Sequence, residues 1–183
     1  YLNAFEKEFA VGPGDTVLQQ ASYSFDAFAE EVYPVLLKGG TVAIPAKSDV
    51  RDIDLLLDFI SKTNVTIVDC SPLLLNELNK RELELPPRVH TWISGGDVLK
   101  GEYIKNLLKK GKTVYNTYGP TETTVCASYY KCPEQVPAGV PIGKPIAGYT
   151  IYILDKKHRL QPAGVPGELC IGGAGAARGY LNN

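Results

Sequence analysis

Residues 66–80 read TIVDCSPLLLNELNK and contain a complete transition from strand to helix. The β-branched run 66–68 predicts a buried strand, and Ser71 followed by Pro72 is typical of a helix N-terminus. Asp69 lies between the two elements, where the strand ends. Because Ser71 already provides a cap for the helix, we expect the Asp69 carboxylate to have a different partner.

The same transition recurs along the first 118 residues. Similar strand-like runs begin at Thr16, Thr41, Thr66, Thr91 and Thr113, spaced 25, 25, 25 and 22 residues apart. Between them, segments 26–40, 52–64, 71–80 and 99–112 have helical patterns. Alternating strands and helices form βαβ units. Residues 1–130 are therefore predicted to be an α/β, doubly wound, mainly parallel, flavodoxin-like subdomain with helices on both faces of the sheet.

The pattern changes after residue 130. A loop rich in proline and glycine is followed by two runs, TIYILD and GELCIGG, that read as antiparallel strands. We expect residues 131–183 to begin a β-rich, barrel-like subdomain that the sequence does not complete. The chain has no methionine and starts in a helical pattern, so we expect it to be a piece of a longer polypeptide.

Composition excludes several classes of function. The net charge is −1 and no basic stripe is present, which argues against a nucleic-acid partner. No apolar run approaches the ~18 residues that a membrane helix needs, and no signal peptide is visible, so we expect a cytoplasmic protein. The spacing of the four cysteines does not suit zinc, and the two histidines are expected in solvent-exposed turns.

Polar residues collect where the predicted strands end. In open parallel sheets these ends face one crevice, which is where ligands bind. The candidates that should meet there are Asp26, Glu30, Asp69, Gly95, Gly96, Asp97, Asn116, Tyr118, Thr121 and Glu122. Each has a structural alternative: Asp26 and Asp97 could cap helices, and the glycine pair could be only a turn.

The segment YGPTETT, residues 118–124, is more specific. Its hydroxyls can donate to phosphate oxygens, the Glu122 carboxylate can bind Mg²⁺, and the Tyr118 ring offers a face to a base. The alternative is a threonine-rich turn in which Glu122 is the acid of a helix capping box.

Three motifs in this order, SYSFDAF (22–28), YNTYGPTETT (115–124) and GELCIGGAGAARGYL (167–181), closely resemble the amino-acid adenylation domains of nonribosomal peptide synthetases. The resemblance covers nearly the whole chain. It implies formation of an aminoacyl adenylate from an amino acid and MgATP, and then transfer to the phosphopantetheine thiol of a carrier protein. The remaining synthetase, with its carrier and condensation domains, is the implied partner.

The resemblance also implies roles for individual residues in a nucleotide site. Tyr118 would stack on adenine opposite the Gly95–Gly96 segment, and Asn116 would hydrogen-bond the adenine amine. Thr121 would contact the α-phosphate and Glu122 would hold Mg²⁺, which makes these two the catalytic candidates. The further nucleotide-binding positions are Asp97, Thr117 and Gly119.

The same resemblance implies that Asp26 binds the α-ammonium group of the substrate. The other positions of the substrate pocket are Ala27, Glu30, Asp69, Ile93, Gly95, Thr117, Val125 and Cys126. Unpaired carboxylates at Glu30 and Asp69, in a pocket otherwise mainly apolar, would repel each other or take up protons. We therefore predict a basic amino acid, lysine first, with ornithine, arginine or another diamino acid behind it; a neutral polar side chain is a weaker alternative.

The resemblance leaves gaps and alternatives. The glycine-rich phosphate loop is expected before residue 1, and the ribose-binding Asp, the hinge and the lysine-bearing lid are expected beyond residue 183. We therefore predict that these 183 residues alone do not catalyse adenylation. The alternatives are an acyl- or aryl-CoA ligase, which has no use for Asp26 as an ammonium anchor, and a non-catalytic nucleotide-binding module.

Overall fold

The computed structural model describes residues 1–81 and 85–182. The strands are β1 (Thr16–Leu18), β2 (Thr41–Ala43), β3 (Ile67–Cys70), β4 (Thr91–Ser94), β5 (Thr113–Tyr118), β6 (Ser128–Lys131), β7 (Lys144–Pro145), β8 (Tyr149–Leu154) and β9 (Glu168–Gly173). The α-helices are α1 (Leu2–Phe9), α2 (Ala27–Leu37), α3 (Ile53–Lys62), α4 (Pro72–Lys80) and α5 (Lys105–Lys109).

Strands β1 to β7 form one sheet in the order β2-β1-β3-β4-β5-β6-β7. The first five are parallel, and β6 and β7 join antiparallel at the β5 edge. The order 2-1-3-4-5 is that of flavodoxin-like doubly wound sheets, which confirms the predicted fold class. The sheet extends to β7, beyond the expected change at residues 130 and 131, so the predicted division of the chain stays a prediction.

Helices cover both faces of the sheet. On one face, α3, α4 and α5 pack over β3, β4 and β5 around the fully buried Trp92. On the other face, Phe5 of α1 and Val35 of α2 pack against the alternate side chains of β1, β3 and β4, including Ile93 of β4. This two-sided coverage explains why the central strands are continuous apolar runs.

Local hydrogen bonds explain where the helices begin. The Asp52 carboxylate accepts from the amides of Asp54 and Leu55 at the start of α3. The Ser71 hydroxyl accepts from the Leu74 amide at 3.4 Å, as predicted for α4. These caps satisfy amides that have no partner within the helix.

The predicted helix over 99–112 is wrong in its first half. Only a 3₁₀ turn at Gly101–Tyr103 and the short α5 form there. The Gly101 amide donates to the carbonyl of Ala138, and Lys100 bridges to Gly139, so a tertiary pairing holds residues 100–101 outside a helix.

Strands β8 and β9 form a separate antiparallel pair, as expected from the sequence. Among the described residues, no helix has the length and apolar character needed to cross a bilayer.

Candidate active site at the carboxyl ends of the strands

A cavity of about 350 Å³ opens between the loops that follow β1 and β3. Strand order reverses between these two strands, so the cavity lies at the topological switch point of the sheet. The Gln20 side chain bridges the two sides by donating to the backbone carbonyl of Asp69. The walls are formed by Gln20, Ala21, Asp26, Ala27, Glu30, Glu31, Asp69, Cys70, Ser71, Leu74, Gly95, Gly96, Thr117, Gly119, Val125 and Cys126.

This cavity brings together most of the residues that the sequence proposed for a substrate pocket. Those found in its walls are Asp26, Ala27, Glu30, Asp69, Gly95, Thr117, Val125 and Cys126. Ile93 is paired with Asp69 across the sheet but is buried in the core with Phe5 and Val35, outside the walls. Asp97 lies exposed beyond the glycine pair and is also outside them. The roles of these residues stay predictions.

The first acid of the cavity, Glu31, is fully hydrogen-bonded. Its carboxylate accepts from the Gln19 side chain at 3.1 Å and from the amides of Gln20 and Ala21 at 3.0 Å. Burial raises the pKa of Glu31 to about 7, although these hydrogen bonds oppose the rise. Glu31 therefore fixes the loop after β1, which forms one wall of the cavity.

Its neighbour Glu30 is as deeply buried but lacks such partners. Only 3% of Glu30 is exposed. Its Oε1 atom has no hydrogen-bond partner among the described residues, and its Oε2 atom accepts from the Cys126 thiol at 3.7 Å. Burial raises the pKa of Glu30 to about 7; the Tyr1 hydroxyl and the Cys126 thiol oppose the rise, and the charges of Glu31 and Asp26 add to it. A buried carboxyl with so few donors is costly to ionise.

Asp69 completes an acid cluster with Glu30 and Glu31. Burial, followed by the charges of Glu30 and Glu31, raises the pKa of Asp69 well above its usual value. Among the described residues, no basic side chain lines this cavity. The three carboxyl groups therefore compete for ionisation, and a cationic ligand would relieve that competition.

Asp26 stands at the mouth of the same cavity. It is the residue before α2, yet its side chain makes no capping hydrogen bond. The capping alternative for Asp26 is therefore not realised by its carboxylate. Being only partly buried, the carboxylate remains open to a ligand that enters the cavity.

Strand β5 carries the residues that the sequence proposed for the nucleotide. Asn116 is buried, and its side-chain amide donates to the Pro141 carbonyl at 2.9 Å, which fixes the orientation of the amide. Tyr118 lies at the end of the strand with 38% of its surface exposed. Thr117 packs so closely on Gly95 that a Cβ there would lie 2.4 Å from the Thr117 hydroxyl. Glycine at 95 thus keeps this wall flat.

The loop of residues 119–125 places Thr121 and Glu122 at the surface beside the cavity. Its backbone is unusual, because Thr124 and Val125 have φ values of 62° and 65°. Positive φ is strained in β-branched residues and persists only where surrounding contacts enforce it. Glu122 has no capping role, since its carboxylate instead accepts a hydrogen bond from the Tyr180 hydroxyl at 3.1 Å.

Sequence reasoning did not assign a role to Glu31 or Tyr180. The structural role of Glu31 has no local signal in the sequence, because its three donors come from a loop whose course the sequence does not specify. Tyr180 belongs to the motif GELCIGGAGAARGYL, but its contact with Glu122 spans 58 residues of sequence. The hydrogen bond to Glu122 raises the pKa of Tyr180, and the charges of Glu122 and Asp26 add to this.

The loop of residues 119–125 offers one exposed carboxylate, that of Glu122, for a metal. Nowhere in residues 1–81 and 85–182 do three His, Cys, Asp or Glu side chains form a metal-binding group. One carboxylate at Glu122 fits Mg²⁺, which is usually held by one or two carboxylates together with substrate phosphates and water. It does not fit a metal held by protein ligands alone.

Residues 1–181 match the family model described as AMP-binding enzyme. The chain belongs to the AMP-binding enzyme family. The resemblance to nonribosomal peptide synthetases is confirmed by curated relatives. Bacitracin synthase 2 of Bacillus licheniformis is 53% identical over 100% of the chain, and gramicidin S synthase 2 of Brevibacillus brevis is 37% identical over 92% of the chain. The chain spans only 7% and 4% of these two proteins.

Solved structures agree with this family assignment. A nonribosomal peptide synthetase with AMPPNP bound superposes with a TM-score of 0.90 at 27% identity, covering 100% of this chain and 21% of its own. A synthetase protein with adenylation and carrier domains, bound to a vinylsulfonamide inhibitor, gives 0.84 at 26% identity, covering 94% and 31%. The AMP-binding fold of the chain is thus the fold of these adenylation domains.

Proposed function

We propose that this AMP-binding chain is part of an enzyme that activates a basic amino acid, lysine first, as its aminoacyl adenylate for nonribosomal peptide synthesis. The observation that carries the proposal is the acid cluster. The buried Glu30 Oε1 atom has no hydrogen-bond partner within residues 1–81 and 85–182, and Asp69 lies in the wall of the same cavity.

Charge balance is the physical basis for the choice of substrate. Two buried carboxyl groups in one cavity that no basic side chain of the described residues lines favour a ligand that brings a positive charge, because an ammonium group offsets their desolvation and mutual repulsion. Glu31 does not compete for that ligand, since its oxygens already accept bonds from residues 19–21. Ornithine, arginine and other diamino acids carry the same charge at different chain lengths, and they are the next candidates.

Asp26 is the proposed anchor for the α-ammonium group of the amino acid. It lies in the cavity wall, and its carboxylate is not engaged in capping α2. Asp26 precedes α2 at the mouth and Glu30 lies in the first turn of that helix, so a ligand with two ammonium groups would meet an acid at each end. Ala27, Val125 and Cys126, which lie in the cavity wall, are proposed to shape the space between them, whereas Ile93 lies behind that wall in the core.

The nucleotide is proposed to bind beside this cavity. Tyr118 supplies the stacking face for adenine, the flat Gly95–Gly96 segment lies opposite, and the Asn116 side chain is fixed for the adenine amine. Thr121 is proposed to contact the α-phosphate and Glu122 to hold Mg²⁺. When bound, Mg²⁺ neutralises the phosphate charge that grows during displacement of pyrophosphate.

The wider setting follows from the relatives and is part of the proposal. Two curated relatives are named as a bacitracin synthase and a gramicidin S synthase, and one solved neighbour contains adenylation and carrier domains. The acceptor is therefore proposed to be the phosphopantetheine thiol of a carrier protein in the same synthetase, in the cytoplasm.

Pyrophosphate exchange with the full-length polypeptide that carries this chain tests the proposal. We expect lysine, ornithine or arginine to support the fastest exchange, and leucine and phenylalanine to support little. Faster exchange with leucine or phenylalanine than with lysine would contradict the charge argument.

The variant Asp26→Ala distinguishes amino-acid activation from the chemistry of an acyl- or aryl-CoA ligase. If Asp26 anchors the α-ammonium group, exchange with every amino acid falls sharply. If the enzyme instead uses acids without an amine, the variant leaves their activation unchanged.

A further inference from the structure

The chain fastens the loop that carries Glu122 at three points. The Thr124 hydroxyl donates to the Gly175 carbonyl at 2.8 Å, and the Ala177 amide donates to the Glu122 carbonyl at 2.8 Å. The third point is the hydrogen bond from the Tyr180 hydroxyl to the Glu122 side chain, at 3.1 Å. In each of the three hydrogen bonds, the partner of the loop belongs to the segment 175–180, which follows β9.

The third contact differs from the other two. The bonds of Gly175 and Ala177 involve backbone atoms, and they hold the course of the loop whatever side chain stands at position 180. The Tyr180 ring is 58% exposed, so its burial adds little to the core. Its hydroxyl contacts only the Oε1 atom of Glu122 among the described residues, and it leaves Oε2 available.

We propose that Tyr180 is a positioning residue for the metal: its hydrogen bond to Oε1 restrains the Glu122 carboxylate, which would hold Mg²⁺. This inference rests on the proposed role of Glu122 in holding that ion. Carboxylates that bind metals are commonly oriented by a second hydrogen bond, and loss of such a partner weakens metal affinity about 10- to 100-fold. An unrestrained exposed glutamate would otherwise sample several rotamers, which the ion would have to select.

The test measures metal binding directly. Mn²⁺, a paramagnetic substitute for Mg²⁺, is titrated by electron paramagnetic resonance into the full-length polypeptide saturated with AMPPNP. We expect Tyr180→Phe to weaken Mn²⁺ binding about 10-fold. In pyrophosphate exchange, the Mg²⁺ concentration for half-maximal rate rises by a similar factor, and saturating Mg²⁺ restores the rate.

Two further variants make the outcomes separable. Tyr152→Phe, on the exposed part of β8, removes a hydroxyl of the same kind away from Glu122 and should leave Mn²⁺ affinity unchanged. Glu122→Gln should weaken it more than Tyr180→Phe does. Melting temperature is measured for all three, because the hydrogen bonds of Gly175 and Ala177 should keep Tyr180→Phe folded.

Several results overturn the inference. If Glu122→Gln weakens Mn²⁺ binding but Tyr180→Phe does not, the positioning role is wrong and the metal role of Glu122 stands. If Glu122→Gln has no effect, both fail. If Tyr180→Phe unfolds the protein, or slows exchange even at saturating Mg²⁺ with unchanged Mn²⁺ affinity, Tyr180 is a structural residue and not a positioning one.

Discussion

Two neighbouring acids on helix α2 have the same burial and opposite surroundings. Glu31 accepts hydrogen bonds from three donors in residues 19–21, whereas the Oε1 atom of Glu30 has no partner in the described part of the chain. Burial brings the pKa of each to about 7. Both acids line the cavity, and the difference lies in their donors: Glu31 accepts from the backbone and side chain of residues 19–21, whereas Glu30 Oε2 accepts from the Cys126 thiol.

This comparison contrasts an acid that the protein itself satisfies with one for which we propose a role in substrate recognition. A buried carboxylate with several donors stabilises the loop that supplies them. A buried carboxylate without donors costs stability unless something else brings the missing charge. On this account, changes at Glu31 should act on folding, and changes at Glu30 should act on the choice of substrate.

The largest effect is expected for Glu30→Gln. Removing one member of a buried charge pair costs about 3 kcal/mol, so kcat/KM for lysine in pyrophosphate exchange should fall about 100-fold. The neutral analogue 6-hydroxynorleucine has the same number of side-chain heavy atoms as lysine, and its kcat/KM should change little.

The matched control is Glu31→Gln, which should preserve the preference for lysine over 6-hydroxynorleucine. An equal loss for both ligands in Glu30→Gln would mean that Glu30 shapes the cavity and does not recognise charge.

Glu31→Gln should reduce the free energy of unfolding more than Glu30→Gln does, which is the opposite of their order in kcat/KM. Glu31→Gln replaces an acceptor of several hydrogen bonds by an amide that presents donors to the same N–H groups. It should lower the free energy of unfolding by about 3 kcal/mol. Glu30→Gln loses no such partners and should change it by less than about 1 kcal/mol. Urea denaturation at pH 7 measures both, and equal losses would remove the distinction between the two acids.

Lysine affinity should depend on pH in a defined direction. Glu30, with a pKa of about 7 in the free protein, must lose its proton to pair with an ammonium group. Lysine affinity should therefore rise up to about tenfold per pH unit from pH 6 to 7 and level off above pH 8. Calorimetric titration at each pH checks this, with 6-hydroxynorleucine as the flat control. A constant lysine affinity would show that Glu30 is already ionised.

The same raised pKa has the opposite consequence for the protein without ligand. Glu30 and Glu31 each bind a proton more tightly when folded than their usual pKa of 4.5 allows. Their stabilising contribution is complete below about pH 4.5 and is lost as pH rises through about 7. Unfolding free energy should decline across that window, and Glu30→Gln should make the decline shallower.

The smallest effect concerns two residues that precede helices. Ser71 caps α4 with its hydroxyl, whereas Asp26 precedes α2 without a capping bond. Ser71→Ala should lower the free energy of unfolding by about 1 kcal/mol, and Asp26→Ala by less than about 0.5 kcal/mol. Urea midpoints compare the two, and a larger loss for Asp26→Ala would restore the capping interpretation that the structure does not support.

The sequence predicted the parts of the molecule that depend on local pattern. The regular spacing of the threonine-led strands gave the parallel sheet, and Ser71 marked the start of α4 correctly. Asp69 lies inside β3, one residue before its end, and not after the strand as predicted; this is still close enough to the carboxyl edge of the sheet to place it in the cavity wall.

What escaped prediction depends on contacts between distant segments. The first half of the helix expected over 99–112 is replaced by pairing of Gly101 with Ala138. The start of α5 lies near Asn79, whose side chain on α4 accepts from the amides of Asn106 and Leu107 at 2.8 and 3.2 Å. Strand β7 has only two residues, too few for a recognisable pattern.

Direct binding of lysine and 6-hydroxynorleucine to the full-length polypeptide, by calorimetry at pH 8, tests the central claim most closely. The two ligands share their length and their α-ammonium group, and they differ in the charge at the end of the side chain. The account predicts that lysine binds at least about 30-fold more tightly. Equal affinity, or tighter binding of the neutral analogue, would contradict it.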